Sequence, residues 1–276
     1  MLVCRREASR PRGAAARCLI RDEDALTSAD QFSDLTVILP TLNEVGNLES
    51  LIEGLNCELP GCRVIVVDDN SSDGTPDLVR TIAARNPSVT LIARHVTPCL
   101  TDSIQAGIAA ASTGYVAWMD ADHSHPPAVM RTLFEAAQLS GCCIGTRYQD
   151  ASESFTMRLP KGEMLAAGLS AVLNFSVNRI LRLDITDYTS GFIVCRRELL
   201  KSHVLTGDYG EYFIELVFYL IRRGVDVREV YYESPPRRSG ESKTGASVGP
   251  LIRRGVKYLW LVGRLMLESG TSNSSR

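Results

Sequence analysis

Short runs of consecutive apolar residues alternate with helical patterns through the first half of this 276-residue chain, and no other feature restricts its fold as much. The runs are TVIL from Thr36, RVIVV from Arg63, VTLIA from Val89, YVAWM from Tyr115 and CCIG from Cys142. Between them, apolar residues at helical spacing predict helices over 47–57, 76–85, 102–111 and 127–138, with Pro76 and Pro127 where a first helical turn tolerates proline. Strand and helix in strict alternation imply a mainly parallel sheet. Strands apolar at every position, rather than every second one, imply helices on both faces of it. The expected class is therefore α/β, a mainly parallel sheet flanked by helices.

Beyond position 149 the spacing predicts a loop, a long helix over 160–181, a short strand near Phe192, a helix over 212–223 and a strand over 225–231. The stretch 234–250 is rich in Pro, Gly, Ser and basic residues and reads as a surface loop. An apolar helical pattern over 251–267, containing Tyr258 and Trp260, either lies along a membrane interface or packs on the main domain. Residues 1–33, with Arg5, Arg6, Arg10, Arg12, Arg17 and Arg21 and no sustained period, read as a disordered arm. These breaks divide the chain into the arm at 1–33, a main α/β domain at 34–243 and a C-terminal helix and tail at 244–276.

Thirty basic against thirty-two acidic residues leave a net charge of −2, which gives no reason to expect a nucleic-acid partner. Eight cysteines without a C-x-x-C pair or zinc spacing read as reduced thiols in a cytosolic protein. No apolar run reaches the ~18–20 residues a spanning helix needs, so the expectation is a soluble or peripheral protein.

Ligands of open α/β sheets bind beyond the carboxyl ends of the strands, and the polar clusters of this chain fall there. The first strand runs into Pro40-Thr41-Leu42-Asn43-Glu44, the second into Asp68-Asp69-Asn70-Ser71-Ser72-Asp73-Gly74-Thr75, and the fourth into Asp120-Ala121-Asp122. Carboxylates at i and i+2 of a strand point the same way. Asp120 and Asp122 so placed suit a hard cation, Mg²⁺ or Mn²⁺, shared with substrate phosphates. The plainer reading of each cluster is a polar turn, with Asp68, Asn70 and Asp73 as turn formers or caps. Turns account for one acidic residue per strand end but not for carboxylates at three of them plus the cationic Arg237-Arg238-Ser239-Gly240-Glu241-Ser242-Lys243 further on. The first strand is not followed by G-x-G-x-x-G, which rejects a dinucleotide site.

Six segments carry a resemblance: P-T-L-N-E at Pro40, V-D-D-N-S-S-D-G-T at Val67, D-A-D-H-S-H-P-P at Asp120, G-T-R-Y at Gly145, D-Y-T-S-G-F at Asp187 and R-R-S-G-E-S-K at Arg237. From Thr36 to about Lys243, roughly three quarters of the chain, the sequence resembles family 2 glycosyltransferases of the GT-A fold, among them dolichol-phosphate and polyprenyl-phosphate mannosyltransferases. The resemblance implies that Pro40, Leu42, Glu44, Val67 and Asp69 face the nucleoside of a nucleotide-sugar. It implies that Asp120, Ala121 and Asp122 meet the diphosphate and the metal, with Ser124 as a further metal ligand. It also implies that Arg147, Arg237 and Lys243 answer phosphate charge and that Asp187 stands on the acceptor side, so that Asp120, Asp122, Arg147 and Asp187 form the catalytic set.

The implied activity is metal-dependent, inverting transfer of a hexose, mannose from GDP-mannose, to polyprenyl or dolichyl phosphate at the cytoplasmic membrane face. A phosphate monoester is anionic near neutral pH, its second pKa being about 6, and needs positioning more than deprotonation. The Q-x-x-R-W motif of related polymer synthases is absent from the chain. Three departures from the family pattern bear on donor and acceptor: Leu42 in place of tyrosine, which removes an aromatic contact to the donor, Cys99-Leu100-Thr101 in place of a G-L-G turn, and LAAGLSA over 165–171 without a cation to grip acceptor phosphate. Arg158 and Lys161 are candidate substitutes. Two other readings stand beside this one: the same donor site serving a soluble or specialised-metabolite acceptor, and a non-catalytic nucleotide-sugar-binding protein.

Overall fold

The computed structural model describes residues 31–149, 174, 177–181, 183–207, 210–235, 257–258 and 260–267. Seven strands form one sheet: β1 (Leu35–Thr41), β2 (Arg63–Asp69), β3 (Val89–Arg94), β4 (Tyr115–Trp118), β5 (Gly141–Thr146), β6 (Ile193–Arg196) and β7 (Asp226–Tyr231). The helices are α1 (Leu48–Glu58), α2 (Thr75–Arg85), α3 (Leu100–Ala110), α4 (Pro127–Ser140) and α5 (Glu211–Arg222), with a 3₁₀ turn at Arg197–Leu200. Every strand and helix expected in 34–149 is present, with ends moved by up to two residues. Asn174 and residues 177–181 are helical, and the remainder of the helix expected over 160–181 lies outside the described residues.

Sheet order is β3-β2-β1-β4-β6-β5-β7. Every neighbouring pair is parallel except those of β6, which runs antiparallel to both β4 and β5. Because successive strands first extend on one side of β1 and then restart with β4 on the other, the order reverses between β1 and β4. Crevices open at such reversals, outside the carboxyl ends of the strands. The antiparallel β6 brings its start rather than its end to that edge, with Ile193 opposite both Trp118 and Ile144. The end of β7 lies there too, through the pairing of Thr146 with Tyr231.

Alternate residues of the same strands enter two cores. Ile38, Ile65, Val67, Val116 and Trp118 pack on the face covered by α3 and α5, while Val37, Leu39, Val64, Val66 and Ala117 pack on the face covered by α1, α2 and α4. A two-sided core is the physical cause of the unbroken apolar runs. Phe32, placed by sequence in the disordered arm, is 1% exposed and packs against Phe134 with ring centroids 5.6 Å apart and planes tilted by 58°, so the folded domain begins before residue 34. Helical residues 260–267 bury Leu261, Val262 and Leu265 in the α5-side core and leave Trp260 and Leu267 exposed. Packing on the domain is thus the outcome for this face of the segment. Among the described residues, no helix is long and apolar enough to cross a membrane.

Helix α3 approaches β1 through Gly107, where an added Cβ would stand 2.4 Å from Cγ2 of Ile38. Overpacking costs roughly 1–3 kcal/mol, and so hard a contact belongs at the upper end. That exceeds the ~1 kcal/mol by which alanine surpasses glycine within a helix. Gly107→Ala should therefore lose about 1–2 kcal/mol of stability, read as a lower denaturant midpoint at unchanged slope. Gly263→Ala, where nothing among the described residues lies within 4 Å of the added carbon, should instead gain up to ~1 kcal/mol.

Candidate active site

The loops after β1 and β2 are tied together by their own polar side chains. Backbone N–H groups of Asn43, Glu44 and Val45 donate to Ser71 Oγ, Thr75 Oγ1 and Asp73 Oδ2 at 2.8, 3.0 and 3.0 Å, and Ser72 N–H returns a bond to Asn43 Oδ1 at 2.9 Å. Asp73 also accepts from Thr75 N–H. Partial burial works against its ionised form, but bonds from Thr75 and Val45 outweigh that and hold the carboxyl below its usual range. Asp68 accepts from Ser71 N–H at 3.0 Å. Asp68 and Asp73 are therefore turn formers, the plainer of the two readings that the sequence left open for them.

Among the described residues, the only non-glycine positions with positive φ are Asn43, Asn70 and His123, at 57°, 67° and 67°. One follows each of β1, β2 and β4, the three strands whose ends carry the acidic clusters. Left-handed backbone of this kind persists where surrounding bonds over-determine it, and it gathers at functional sites.

Asp69, expected to face a nucleoside, is 5% exposed and already engaged. Its Oδ1 is paired with Arg94, directly opposite it on β3, and its Oδ2 accepts the Cys99 backbone N–H. Arg94 also donates to Ser103 Oγ at 2.8 Å and to Asp102 at 3.1 Å. Sequence reasoning did not single out Arg94, because only the register of β2 on β3 puts it beside Asp69. The Val67 side chain is fully buried in the core and Ala121 is 4% exposed, so neither presents a side chain to a ligand. Pro40, Leu42 and Glu44 are half-buried along the crevice edge, with Glu44 Oε2 accepting from Asn47 Nδ2 at 2.8 Å.

Strand β4 ends at Trp118, so Asp120 and Asp122 stand in a turn and the expectation that strand geometry aligns them is corrected. The left-handed His123 ends the extended course, and Ser124 N–H folds back to Asp122 Oδ1 at 3.0 Å. Asp120 is exposed and Asp122 is 7% exposed. The turn is held by His125, whose Nδ1 accepts the Asp120 N–H at 3.0 Å while its ring stacks on Phe192 at 4.6 Å and 4°. Burial drives the His125 pKa down, against the attraction of Asp120, Asp122 and Asp187 and together with the repulsion of Arg147. Asp120 is thus bonded to this imidazole through its backbone, and Asp122, Arg147 and Asp187 lie near enough for their charges to act on it, although the sequence reading passed over His125 within the same motif.

Asp187 is fully buried and grips Arg147 through two parallel bonds, Nε to Oδ2 at 2.7 Å and Nη2 to Oδ1 at 2.9 Å. Thr189 N–H and Oγ1 donate to the same carboxylate, each at 3.0 Å. Burial opposes ionisation of Asp187, but Arg147 and these bonds override it and hold the carboxyl below its usual range. The arginine is held more firmly protonated in return. With both oxygens occupied, Asp187 is placed to position Arg147 rather than to touch an acceptor. Glu229 of β7 supports the loop by accepting the N–H groups of Thr186 and Asp187 at 2.9 and 3.2 Å. Arg237, Lys243, Arg158 and Lys161 lie outside the described residues.

Two carboxylates in one turn, one exposed and one buried, are donors of the kind a hard cation shares with substrate oxygens. Among the described residues, no group of three His, Cys, Asp or Glu side chains is arranged to hold a metal without such help. Ser124 contributes its N–H to Asp122 and its carbonyl to Ser234 Oγ at 3.1 Å.

Residues 36–204 match the model of glycosyl transferase family 2. The undecaprenyl-phosphate mannosyltransferase of Micrococcus luteus is 32% identical over 81% of this chain and 94% of its own length. The dolichol-phosphate mannosyltransferase of Pyrococcus furiosus is 30% identical over 86% of this chain and 64% of its own, so the chain spans about two thirds of that relative. Among solved structures, a Pyrobaculum calidifontis mannosyltransferase in complex with GDP-Man and Mn²⁺ superposes with a TM-score of 0.54 at 16% identity, over 88% of this chain and 76% of that one.

A histidine whose folded pKa lies below its unfolded value of about 6.5 adds stability above that pH. The contribution is lost as pH falls through the folded value, because the unfolded chain binds a proton that the folded chain refuses. The melting temperature of the protein should therefore decline as pH drops below ~6.5. In His125→Asn, where an amide oxygen takes over from Nδ1, that part of the decline should be absent while the carboxylate-driven loss at lower pH remains.

Proposed function

The chain belongs to glycosyl transferase family 2, and from that premise we propose that this glycosyltransferase moves mannose from GDP-mannose to polyprenyl phosphate, with inversion at the anomeric carbon. The observation that carries the reading is that the Asp120–Asp122 turn, bonded to His125, and the Arg147–Asp187 pair, linked to the same imidazole through Phe192 and Tyr232, lie at one edge of the sheet beside the reversal of strand order. The identities shared with two lipid-phosphate mannosyltransferases over most of the chain support mannose as the sugar and a lipid phosphate as the acceptor.

Asp120 and Asp122 would hold Mg²⁺ or Mn²⁺, with Ser124 as a neighbouring ligand. Bound there, the cation supplies charge neutralisation to the departing diphosphate. Arg147, fixed by Asp187, presents a permanent positive charge to phosphoryl oxygens. Arg237 and Lys243, which follow β7 in sequence, add cations for the same purpose. Pro40, Leu42, Glu44 and the Asp69–Arg94 pair border the nucleoside. Asp187 is saturated and His125 already spends its Nδ1 on the Asp120 N–H, which favours an acceptor that arrives anionic over a hydroxyl that has to be deprotonated. The exposed Trp260, Met266 and Leu267 offer an apolar edge to a bilayer surface, consistent with work at the cytoplasmic membrane face.

Incubating the protein with a panel of GDP- and UDP-sugars and Mn²⁺, with and without polyprenyl phosphate, and weighing the products tests this. Mannosyl-phosphopolyprenol should form from GDP-mannose only when metal and lipid phosphate are both present. Asp122→Asn should lower turnover on the order of 10²–10³-fold, the scale of removing a group aimed at developing charge. Glycosylation of a soluble alcohol alone would instead select the soluble-acceptor reading.

A further inference from the structure

Tyr232 sits where β7 leaves the sheet, its backbone N–H donating to the carbonyl of Thr146 at 2.9 Å, one residue before Arg147. Its ring stands edge-on to His125 at 5.8 Å and to Phe192 at 5.4 Å. Gly145 makes room for it, since a Cβ there would lie 3.0 Å from Cε1 of Tyr232 and 2.8 Å from Cδ1 of Phe192. The side chain is 3% exposed, yet among the described residues its hydroxyl has no hydrogen-bond partner. Ser190 comes near without adopting hydrogen-bond geometry, and the charges of Arg147, Asp187 and Asp120 all act on the phenol.

Leaving a buried hydroxyl unpaired costs about 1–3 kcal/mol, and phenylalanine would fill the same space without that cost. No described side chain completes a hydrogen bond to this oxygen in the unliganded fold. A partner for it has to arrive from outside, and its surroundings specify what kind. Asp187 is bonded to Arg147 through Nε and Nη2, which leaves the Nη1 end of the guanidinium outside that pair, and the other charge near the phenol is the exposed carboxylate of Asp120, proposed to carry a cation. A group settling between two such positive centres is anionic and accepts hydrogen bonds.

We propose that the Tyr232 hydroxyl is a hydrogen-bond donor kept for a phosphoryl oxygen of the substrates, between the Asp120–Asp122 turn and Arg147. The assignment rests on the transferase reading above. The oxygen belongs either to the diphosphate of the donor or to the monophosphate of the acceptor, and kinetics separates them.

The test compares Tyr232→Phe with the wild-type chain in three measurements. Unliganded melting temperature should be unchanged or higher in the variant, because an unpaired polar atom is removed and the ring is kept. Calorimetric binding of inorganic pyrophosphate or inorganic phosphate with Mn²⁺ should weaken about ten- to a hundredfold, the scale of a hydrogen bond to a charged group. Transfer should show a similar loss in kcat/KM, carried by the KM for GDP-mannose if the donor diphosphate is the partner, or by the KM for polyprenyl phosphate if the acceptor is. Equal binding and turnover in variant and wild type would overturn the proposal, as would a fall in melting temperature that accounts for the loss, or wild-type protein that binds neither anion. Should the wild type bind pyrophosphate but transfer no sugar, the transferase reading fails while the binding comparison still judges the tyrosine.

Discussion

The antiparallel course of β6 between β4 and β5 is the constraint on which the assembled site depends. In an all-parallel sheet the start of every strand lies at the edge opposite the ligand crevice. Reversing one strand delivers residues 187–192, which precede β6, to the same edge as the ends of β4, β5 and β7. Asp187 then meets Arg147 from β5, and Phe192 meets His125 from the β4 loop. Neither pairing would form if β6 ran the other way.

Around this edge, rigid neutral groups and paired charges surround a few exposed ones. His125 is kept neutral by burial and holds a backbone N–H, Asp187 is kept ionised and holds an arginine, and Glu229 holds the loop that carries Asp187. Buried charge is tolerated here because each carboxylate is met by several donors, without which desolvation would exceed the attraction. Asp120 is the exposed member of the set and Arg147 the partly exposed one. Preorganisation of this type lets developing charge be met without rearrangement at the moment of reaction.

Local order in the sequence was highly legible. The apolar runs from Thr36 to Cys142 and the helical patterns between them correspond to β1–β5 and α1–α4 within two residues, since each element buries a face that its own spacing announces. The same reasoning misjudged Asp120 and Asp122, where an unbroken apolar approach suggested a longer strand than β4, and a left-handed His123 with an Asx-type bond at Asp122 ended it. It also placed Phe32 outside the fold, because a single aromatic ahead of a strand carries no period.

By itself the sequence determined the class of the fold, the family, and the residue types gathered at each strand end, because these follow from periodicity and from short contiguous motifs. What each polar residue does was decided only by tertiary structure. Asp69 is paired with Arg94 because β3 lies in register on β2, Asp187 positions an arginine because β6 is reversed, and the Tyr232 ring lies against His125 because Gly145 leaves room for it. Such roles depend on contacts between residues tens of positions apart, and no local spacing in the chain encodes them.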